Sequence, residues 1–552
     1  MAMSSSSSSY DTTTSSASPQ VVGYPSSYKS ILSSSSSSGS SVVDDDSYFD
    51  KGSRGIGDGN LEYHHPAGFN VLPDNTTTTT TADDDDDDVH THHGITTSSR
   101  RNLSNNTKTF INSLLCFMGS GVLGLPHAFN EIGLVGGIII LSLVALLALH
   151  CMLLLVHCQT YLRDTRSKHA VTYGDVGYYA FGRIGSMLVD ICIILTQTGF
   201  AVAYLIFISH NVSDILDDYY YLDDKKDSIV SRGLILAVIL PPLVILSWLR
   251  YLKMLAPFSL LAEIAILFAL FAVFAYDIQS IITRAWSPVL STKTSSSSSQ
   301  QLEDHDPSGG SSFISTASNI SLWLNLSRLP YFFGISVYCY EGVGMVMPVK
   351  NSMQNPSSFN RIWSSSVILV TTIYCAFGAL GLLAFSDQPT IDSIITRALP
   401  HDTILAPFIR VSLCIGLYFT YPLMLFPVYE LIDTFFDSTL RPHLPNITPT
   451  MFHIITHYIF RLGYVTLTAI LAASIPNFGA FISLVGASAS AALAFILPAA
   501  FHLKLRGREL SKWQHIREWI CIIVGLLGGI IGTVEACRDA LRAIRGETVE
   551  GH

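Results

Sequence analysis

Long apolar stretches recur along the chain from about residue 108 onward, separated by shorter polar segments. A run of about 20 apolar residues is long enough to cross a bilayer. In lipid the backbone has no water to bond, so these runs must form helices, whereas a membrane barrel would need short alternating strands. The pattern predicts an all-α membrane protein with about eleven transmembrane helices, at approximately 108–131, 133–157, 184–210, 231–249, 253–276, 325–348, 363–385, 402–431, 454–474, 478–502 and 517–536.

The first 100 residues have no such stretch and consist largely of serine, threonine and aspartate runs, such as Thr76–Thr81 and Asp83–Asp88. A segment with so little apolar surface cannot offset the entropy lost on ordering. We therefore expect a disordered cytoplasmic tail at 1–100, a transmembrane domain at 101–536 and a short C-terminal tail at 537–552.

Charge and composition sharpen this division. The first 100 residues hold 14 of the 42 acidic and 4 of the 32 basic residues, so they carry the whole formal net charge of −10. Only 13% of the chain is charged, against roughly 25% in soluble proteins, which excludes a string of soluble domains. In the tail, Tyr28–Ile31 fits a tyrosine-based sorting pattern. Sorting or regulatory proteins are therefore candidate partners of the tail, although so short a pattern often arises by chance.

Basic residues suggest an orientation. Lysine and arginine are more frequent at the helix ends on the N-terminal side of the membrane, for example Arg163 and Lys504. An excess of basic residues marks the cytoplasmic side, so we expect the N-terminus in the cytoplasm. Eleven helices then put the C-terminus outside, and Arg538 there runs against the rule. The long loop between the fifth and sixth stretches would also lie outside, where Asn319 of Asn319-Ile320-Ser321 is a candidate glycosylation site.

Two of the predicted helices contain residues that break helices. The first stretch contains Gly119, Gly121 and Gly124 followed by Pro126. The sixth reads Tyr338-Cys339-Tyr340-Glu341-Gly342-Val343-Gly344 and ends on a proline. In a helix interior glycine costs roughly 1 kcal/mol and proline about 3 kcal/mol relative to alanine. Both helices are therefore predicted to be interrupted within the membrane.

The positions of the two interruptions indicate a transporter. They fall in the first and sixth helices, five places apart, and paired interrupted helices at matching places in two halves are typical of inverted-repeat transporters with a site at mid-membrane. An interruption frees N–H groups that attract a carboxylate and C=O groups that attract an ammonium group. A zwitterionic amino acid carries both. The predicted substrate site comprises Gly119, Ser120, Gly121, Val122 and Leu123 of the first break and Tyr338, Tyr340, Glu341, Gly342 and Gly344 of the second.

A packing explanation competes with this hypothesis, because small residues also let helices approach closely. A single glycine cluster would favour packing. Two clusters at matching positions, one beside the acidic residue Glu341, favour a site.

Other polar residues within the predicted membrane helices are also candidates for the functional site, because polar groups are costly in lipid. On the third stretch, Gln197, Phe200 and Tyr204 lie at mid-depth, and we place them near the substrate. Thr420 on the eighth stretch either contacts substrate or belongs to a packing stripe of small residues. Glu263 on the fifth either relays a proton or pairs with a nearby base, and we expect Arg410 to reach the outer interface.

No catalytic or nucleotide motif supports another class of function. The sequence has no HExxH, GxSxG, P-loop or CxxC pattern. Gly119–Gly124 matches the dinucleotide fingerprint GxGxxG, but that fingerprint needs a strand before it and an acidic residue about 20 positions later. We therefore expect neither an enzyme nor an ATP-driven pump, with no cofactor, no metal site and no nucleic-acid partner. The energy would come from an ion gradient or from the solute gradient.

Several motifs resemble those of a known family. They are Gly121–Pro126 with Ala128-Phe129, Glu341–Val346, Phe419–Met424, Pro427–Glu430, Pro476–Phe478 and Ser483–Gly486. In this order they resemble the amino acid/auxin permease superfamily, in particular plant-type vacuolar and lysosomal proton-coupled amino-acid transporters, over about residues 105–536.

The resemblance implies a five-plus-five inverted repeat with broken first and sixth helices (APC/LeuT-like) and an extra eleventh helix. It also implies proton-coupled transport of neutral amino acids in a vacuolar or lysosomal membrane, with the plasma membrane as the alternative. Some relatives carry a histidine where this chain has Asn112, so Glu341 and Glu263 become the proton-coupling candidates. Oxygens of Ser113, Ser412 and Thr420 leave a sodium site open. The rival hypothesis is a membrane sensor that binds an amino acid and signals through its tail.

Overall fold

The computed structural model describes residues 103–166, 170–220, 231–249, 252–294, 324–386, 391–399, 405–443 and 448–545. The predicted tail at 1–100, Asn319 and residues 546–552 of the predicted C-terminal tail lie outside these residues.

The described residues fold into sixteen α-helices with short 3₁₀ and π turns between some of them. They are α1 (Asn106–Phe117), α2 (Leu125–Ile132), α3 (Leu134–Arg166), α4 (Tyr173–Phe181), α5 (Arg183–Tyr220), α6 (Arg232–Ser247), α7 (Leu252–Thr294), α8 (Leu329–Cys339), α9 (Val343–Asn351), α10 (Phe359–Ala384), α11 (Leu405–Phe435), α12 (Pro449–Ile454), α13 (Phe460–Ser474), α14 (Phe478–Val485), α15 (Leu497–Arg506) and α16 (Lys512–Arg545).

A helix lies at each of the eleven predicted stretches. Among the described residues, nine spans are long and apolar enough to cross a membrane, and the bent pair α1 and α2 makes up to ten. The fourth predicted stretch is α6, which has only 16 residues and contains Pro241 and Pro242. The all-α membrane fold class is confirmed. The last helix runs on to Arg545, past the expected start of the C-terminal tail at 537.

The first helix is interrupted where its glycines predict. After α1 ends at Phe117, the chain passes through Gly119 into a 3₁₀ turn, Ser120–Gly124, and then into α2. Pro126 falls in the first turn of α2, where a missing N–H costs nothing. The two pieces meet at an angle of 45°. The break is therefore a property of the local sequence.

The sixth crossing, Leu326–Asn351, is interrupted as well, with Tyr340, Glu341 and Gly342 lying between α8 and α9. It is also the most enclosed of the described spans, since 78% of its most apolar stretch is buried, against 22% for the last span. The helix that carries the acidic break thus lies at the centre of the bundle, whereas α16 lies at its periphery.

Glycines let the central helices touch backbone to backbone. A side chain on Gly486, in the tenth crossing, would lie 1.9 Å from the carbonyl oxygen of Gly334 in α8. A side chain on Gly334 would meet the Ser483 carbonyl oxygen at 2.4 Å. Ser483 in turn donates a 3.0 Å hydrogen bond to the Tyr331 carbonyl. These small residues fix helix packing close to the second break.

Candidate functional site

A hydrogen bond joins the first break to the helix before the second break. The Ser120 hydroxyl, in the 3₁₀ turn, lies 2.9 Å from the Tyr338 hydroxyl on α8. Both side chains are buried, with 1% and 2% of their surface exposed. Buried hydroxyls are costly unless paired, so this bond holds the two interrupted helices together.

Two aromatic residues of α5 complete this cluster. The Phe200 and Tyr338 ring centroids are 4.4 Å apart. A side chain on Gly119 would lie 3.8 Å from the Tyr204 hydroxyl, so Tyr204 faces the first break. The structure therefore gathers six of the predicted residues in one place: Gly119, Ser120, Gly121, Phe200, Tyr204 and Tyr338.

Gly121 and Gly342 stand where no larger residue fits. A Cβ atom on Gly121 would lie 2.9 Å from Cys339 Sγ and 3.0 Å from Tyr338 Cδ1. A Cβ atom on Gly342 would lie 2.8 Å from the Phe117 ring. At Gly344, by contrast, a Cβ atom would meet no described atom within 4 Å. The first two glycines serve close approach of the breaks, and Gly344 borders free space.

Tyr374, which the sequence alone did not single out, lies at the ends of both broken helices. On α10, the Tyr374 hydroxyl donates to the Phe117 carbonyl, at the end of α1. The same hydroxyl lies 3.5 Å from the Cys339 carbonyl, at the end of α8. Helix C-termini leave carbonyl groups unsatisfied and carry partial negative charge. Tyr374 satisfies part of that need at the point where both negative ends converge.

Tyr340 points toward the same helix. Its hydroxyl donates to Thr371 on α10 at 3.0 Å, and its ring lies 5.6 Å from that of Tyr374. The Tyr340 hydroxyl therefore already has a protein partner, and its aromatic face is what remains for the site.

Two buried side-chain oxygen atoms, one of them at the second break, lack a hydrogen-bond partner. The buried Oε2 atom of Glu341 has no hydrogen bond within the described part of the chain, and neither does the buried Oε1 atom of Gln197 on α5. An unpaired buried acceptor is costly, which favours a cation, an ammonium group or a proton as its missing partner.

No hydrogen bond or ion pair joins Thr420 or Glu263 to this cluster within the described part of the chain. The Thr420 hydroxyl donates to the Gly416 carbonyl of its own helix at 2.8 Å. A side chain on Gly416 would lie 2.5 Å from Ile266 on α7, so the helix that carries Thr420 packs tightly against the helix that carries Glu263.

A loop segment, Ile391–Leu399, lies against the first break, and we call it the lid segment. Its Ile391 carbonyl accepts a 2.7 Å hydrogen bond from His127 Nδ1 of α2. Arg397 pairs with Asp214 of α5 at 2.9 Å. The expectation that Arg410 reaches the outer interface is wrong. Only 1% of Arg410 is exposed, because its Nε donates to the Thr396 carbonyl of the lid segment at 3.2 Å.

The opposite end of the site is tied by backbone hydrogen bonds. The Ser104 amide, just before α1, donates to the Ser352 carbonyl at 2.8 Å, and the Gln354 amide donates to Ser104 at 3.1 Å. The segment that precedes the first broken helix is thereby fastened to the segment that follows the second. Polar contacts between segments distant in sequence therefore hold the site at both ends.

Comparison with known proteins shows which family and which relatives the chain resembles. A family model described as transmembrane amino acid transporter protein matches residues 103–537. Amino acid transporter AVT3B of Arabidopsis thaliana is 32% identical over 78% of this chain and 93% of its own length. Amino acid transporter ANT1 of the same plant is 32% identical over 77% of this chain and 90% of its own. The proton-coupled amino acid transporter-like protein pathetic of Drosophila melanogaster is 26% identical over 80% of this chain and 86% of its own length.

Among solved structures, a Na⁺-coupled sialic acid symporter in its substrate-bound outward-open state aligns with a TM-score of 0.41 and 10% identity. That alignment covers 78% of this chain and 89% of the other. The score is too low to bear on the site. The matched family region agrees with the resemblance noted over about 105–536, and the relatives named are transporters rather than enzymes. The chain therefore belongs to the transmembrane amino acid transporter protein family.

Proposed function

We propose that the protein is a secondary active transporter of neutral amino acids that works by alternating access and is driven by protons. The observation that carries this proposal is the buried Ser120–Tyr338 contact, which joins two interrupted helices beside the unpartnered Glu341 oxygen. Such a site offers backbone N–H groups, carbonyl groups and a carboxyl within one enclosed space.

The substrate carboxylate binds to the free amides of Ser120–Leu123, because the first amides of a helical turn have no partner inside it. The ammonium group faces the second break, where Glu341 and the carbonyls near Cys339 offer acceptors. Each carbonyl has two lone pairs, so the Tyr374 bond leaves acceptor capacity. The aromatic faces of Phe200 and Tyr338 favour an uncharged substrate side chain.

The proton is the coupling ion in this proposal, because the unpartnered Glu341 oxygen belongs to a group that can bind and release one. The Ser113 and Thr420 hydroxyls donate to carbonyls of their own helices and keep their oxygen lone pairs for a cation, so the flux assay includes a Na⁺ gradient. Glu341 is the first candidate proton carrier and Glu263 the second. The Drosophila relative is named as a proton-coupled amino acid transporter-like protein, which supports the choice of the proton. We place the protein in a vacuolar or lysosomal membrane with its N-terminus in the cytoplasm, and regard the plasma membrane as the alternative.

Flux in proteoliposomes tests the proposal. Purified full-length protein is offered a panel of labelled amino acids with and without imposed pH and Na⁺ gradients. We expect saturable uptake of neutral amino acids that a pH gradient accelerates and a Na⁺ gradient does not. Currents without saturable uptake would indicate a channel, and binding without flux would indicate a sensor.

The Glu341→Gln variant tests the residue in the same vesicles. Glutamine keeps the shape of the side chain but cannot carry a charge or exchange a proton. We expect gradient-driven accumulation to be lost, while the matched variant Glu263→Gln keeps it if Glu341 is the carrier. Wild-type flux and pH dependence in Glu341→Gln would overturn the role of Glu341.

A further inference from the structure

A second acidic residue is buried in the membrane domain away from the two breaks. Asp277 on α7 is completely enclosed, with 0% of its surface exposed. Neither of its carboxyl oxygens has a hydrogen-bond partner among the residues that the structure describes. The predicted fifth stretch stopped at residue 276, but the apolar span continues to Thr283 and includes it.

Asp277 lies at the contact of three helices. A Cβ atom on Gly381 of α10 would lie 3.7 Å from Asp277 Oδ2 and 2.6 Å from Pro126 Cγ of α2. The carboxyl therefore sits at the junction of α7, α10 and α2, and the absent side chain of Gly381 lets these three helices meet. Since α2 begins directly after the 3₁₀ turn of the first break, a change of backbone angle at that turn would move it.

The lid segment holds α2 at this junction. His127, the residue after Pro126, donates to the Ile391 carbonyl. Movement of the lid segment away from the site would therefore draw α2 with it and open a path for water to Asp277.

The charged and titratable groups on the neighbouring helices form no hydrogen bond with Asp277 in the described part of the chain. Glu131 of α2 pairs with Arg328 at 2.9 Å, and Tyr374 of α10 bonds to the end of α1. The remaining groups toward this end of α2, α10 and α11 are His127, Cys375, Arg410 and Cys414.

Burying a carboxylate without a partner is strongly unfavourable in free energy, whereas burying the neutral protonated acid is much less so. We propose that Asp277 is a proton-binding site, separate from Glu341, whose occupancy is required for α2 and the lid segment to close. Water on the lid side delivers the proton to the carboxylate while the junction is open. The proton stays on the neutral acid while the junction is closed and returns to that water when α2 leaves.

This inference rests on the proposed transport function, and one assay separates the two. Exchange of labelled for unlabelled amino acid is measured in proteoliposomes with the same pH on both sides, so that no proton gradient drives it. Closing requires the protonated acid, and less of it is present as the pH rises. Wild-type exchange should then slow with rising pH, by up to about tenfold per pH unit for one proton.

Asp277→Asn is permanently neutral, so it should exchange faster than the wild type at high pH and show a shallower slope against pH, because of the two proton-binding sites only Glu341 then titrates. The matched control Asp437→Asn changes an aspartate whose side chain is 63% exposed, and should keep the wild-type slope. Asp277→Leu, an apolar residue of similar length, should behave like Asp277→Asn if the enclosed acid is neutral.

Each outcome decides. No exchange of any amino acid by the wild type would overturn the proposed function and this inference with it. Wild-type exchange that is independent of pH, or a wild-type slope in Asp277→Asn, would overturn the role of Asp277 alone. Failure of both the asparagine and the leucine variants to fold would assign the carboxyl a structural role and equally overturn the inference.

Discussion

Replacing Gly121 with alanine adds a single carbon atom at the contact between the two breaks. That atom would lie 2.9 Å from Cys339 Sγ, 3.0 Å from Tyr338 Cδ1 and 3.2 Å from Cys339 Cα. Carbon atoms in favourable contact are about 3.5–4.0 Å apart, so all three distances are too short, by about 0.3 Å or more. Tyr338 cannot rotate away freely, because its hydroxyl is held by Ser120 and its ring packs at 46° against that of Phe200.

Overpacking of this kind costs about 1–3 kcal/mol. If the whole cost falls on the closed arrangement that binds substrate, the dissociation constant rises by about 5- to 150-fold. The assay is equilibrium binding of the best transported amino acid to purified protein, with thermal unfolding measured alongside. We expect weaker binding and a modestly lower Tm for Gly121→Ala, and a larger effect for Gly121→Val.

Gly463→Ala is the matched control, because a Cβ atom there would meet no described atom within 4 Å. Within a helix such a change stabilises by up to about 1 kcal/mol. This control should bind substrate like the wild type. A well-folded Gly121→Ala protein that also binds like the wild type would refute the claim that the breaks must touch to form the site.

Other consequences can be measured in the same vesicles and binding assays. Tyr374→Phe removes the hydroxyl that bonds to the Phe117 carbonyl and should cost about 1–3 kcal/mol, seen as a lower Tm and weaker substrate binding; unchanged values would show that the carbonyl finds another partner. Thr420→Val keeps the side-chain shape, and because the hydroxyl bonds to Gly416 of its own helix, we expect less than about a threefold change in affinity; a loss above about tenfold would restore Thr420 to the site. Deletion of residues 1–95 should leave flux intact, since the family region begins at residue 103, whereas loss of a bound partner with no flux in either form would favour a sensor.

The membrane helices and both breaks follow from local sequence. An apolar stretch long enough to span lipid can be only a helix there, and Gly119, Gly121 and Pro126 interrupt it wherever the rest of the chain lies. The gathering of Ser120 with Tyr338 was also predictable, because matched interruptions imply a shared site.

Contacts made by residues distant in sequence could not be predicted. Nothing local to Tyr374 indicates that its hydroxyl reaches helix ends in two other crossings, since a tyrosine within an apolar run carries no periodic signal. Arg410 looked like an interfacial arginine because its partner, the Thr396 carbonyl, belongs to the lid segment. Asp277 stood one residue beyond the expected end of its helix, and only packing shows that it is enclosed.

A cryo-electron microscopy map of the full-length protein with its best transported amino acid tests the central claim most directly. The account predicts substrate density between Ser120–Leu123 and Tyr340–Gly342, with its carboxylate on the first break and its ammonium group toward Glu341. Density at any other place in the bundle, with the space between the two breaks empty at saturating substrate, would contradict it.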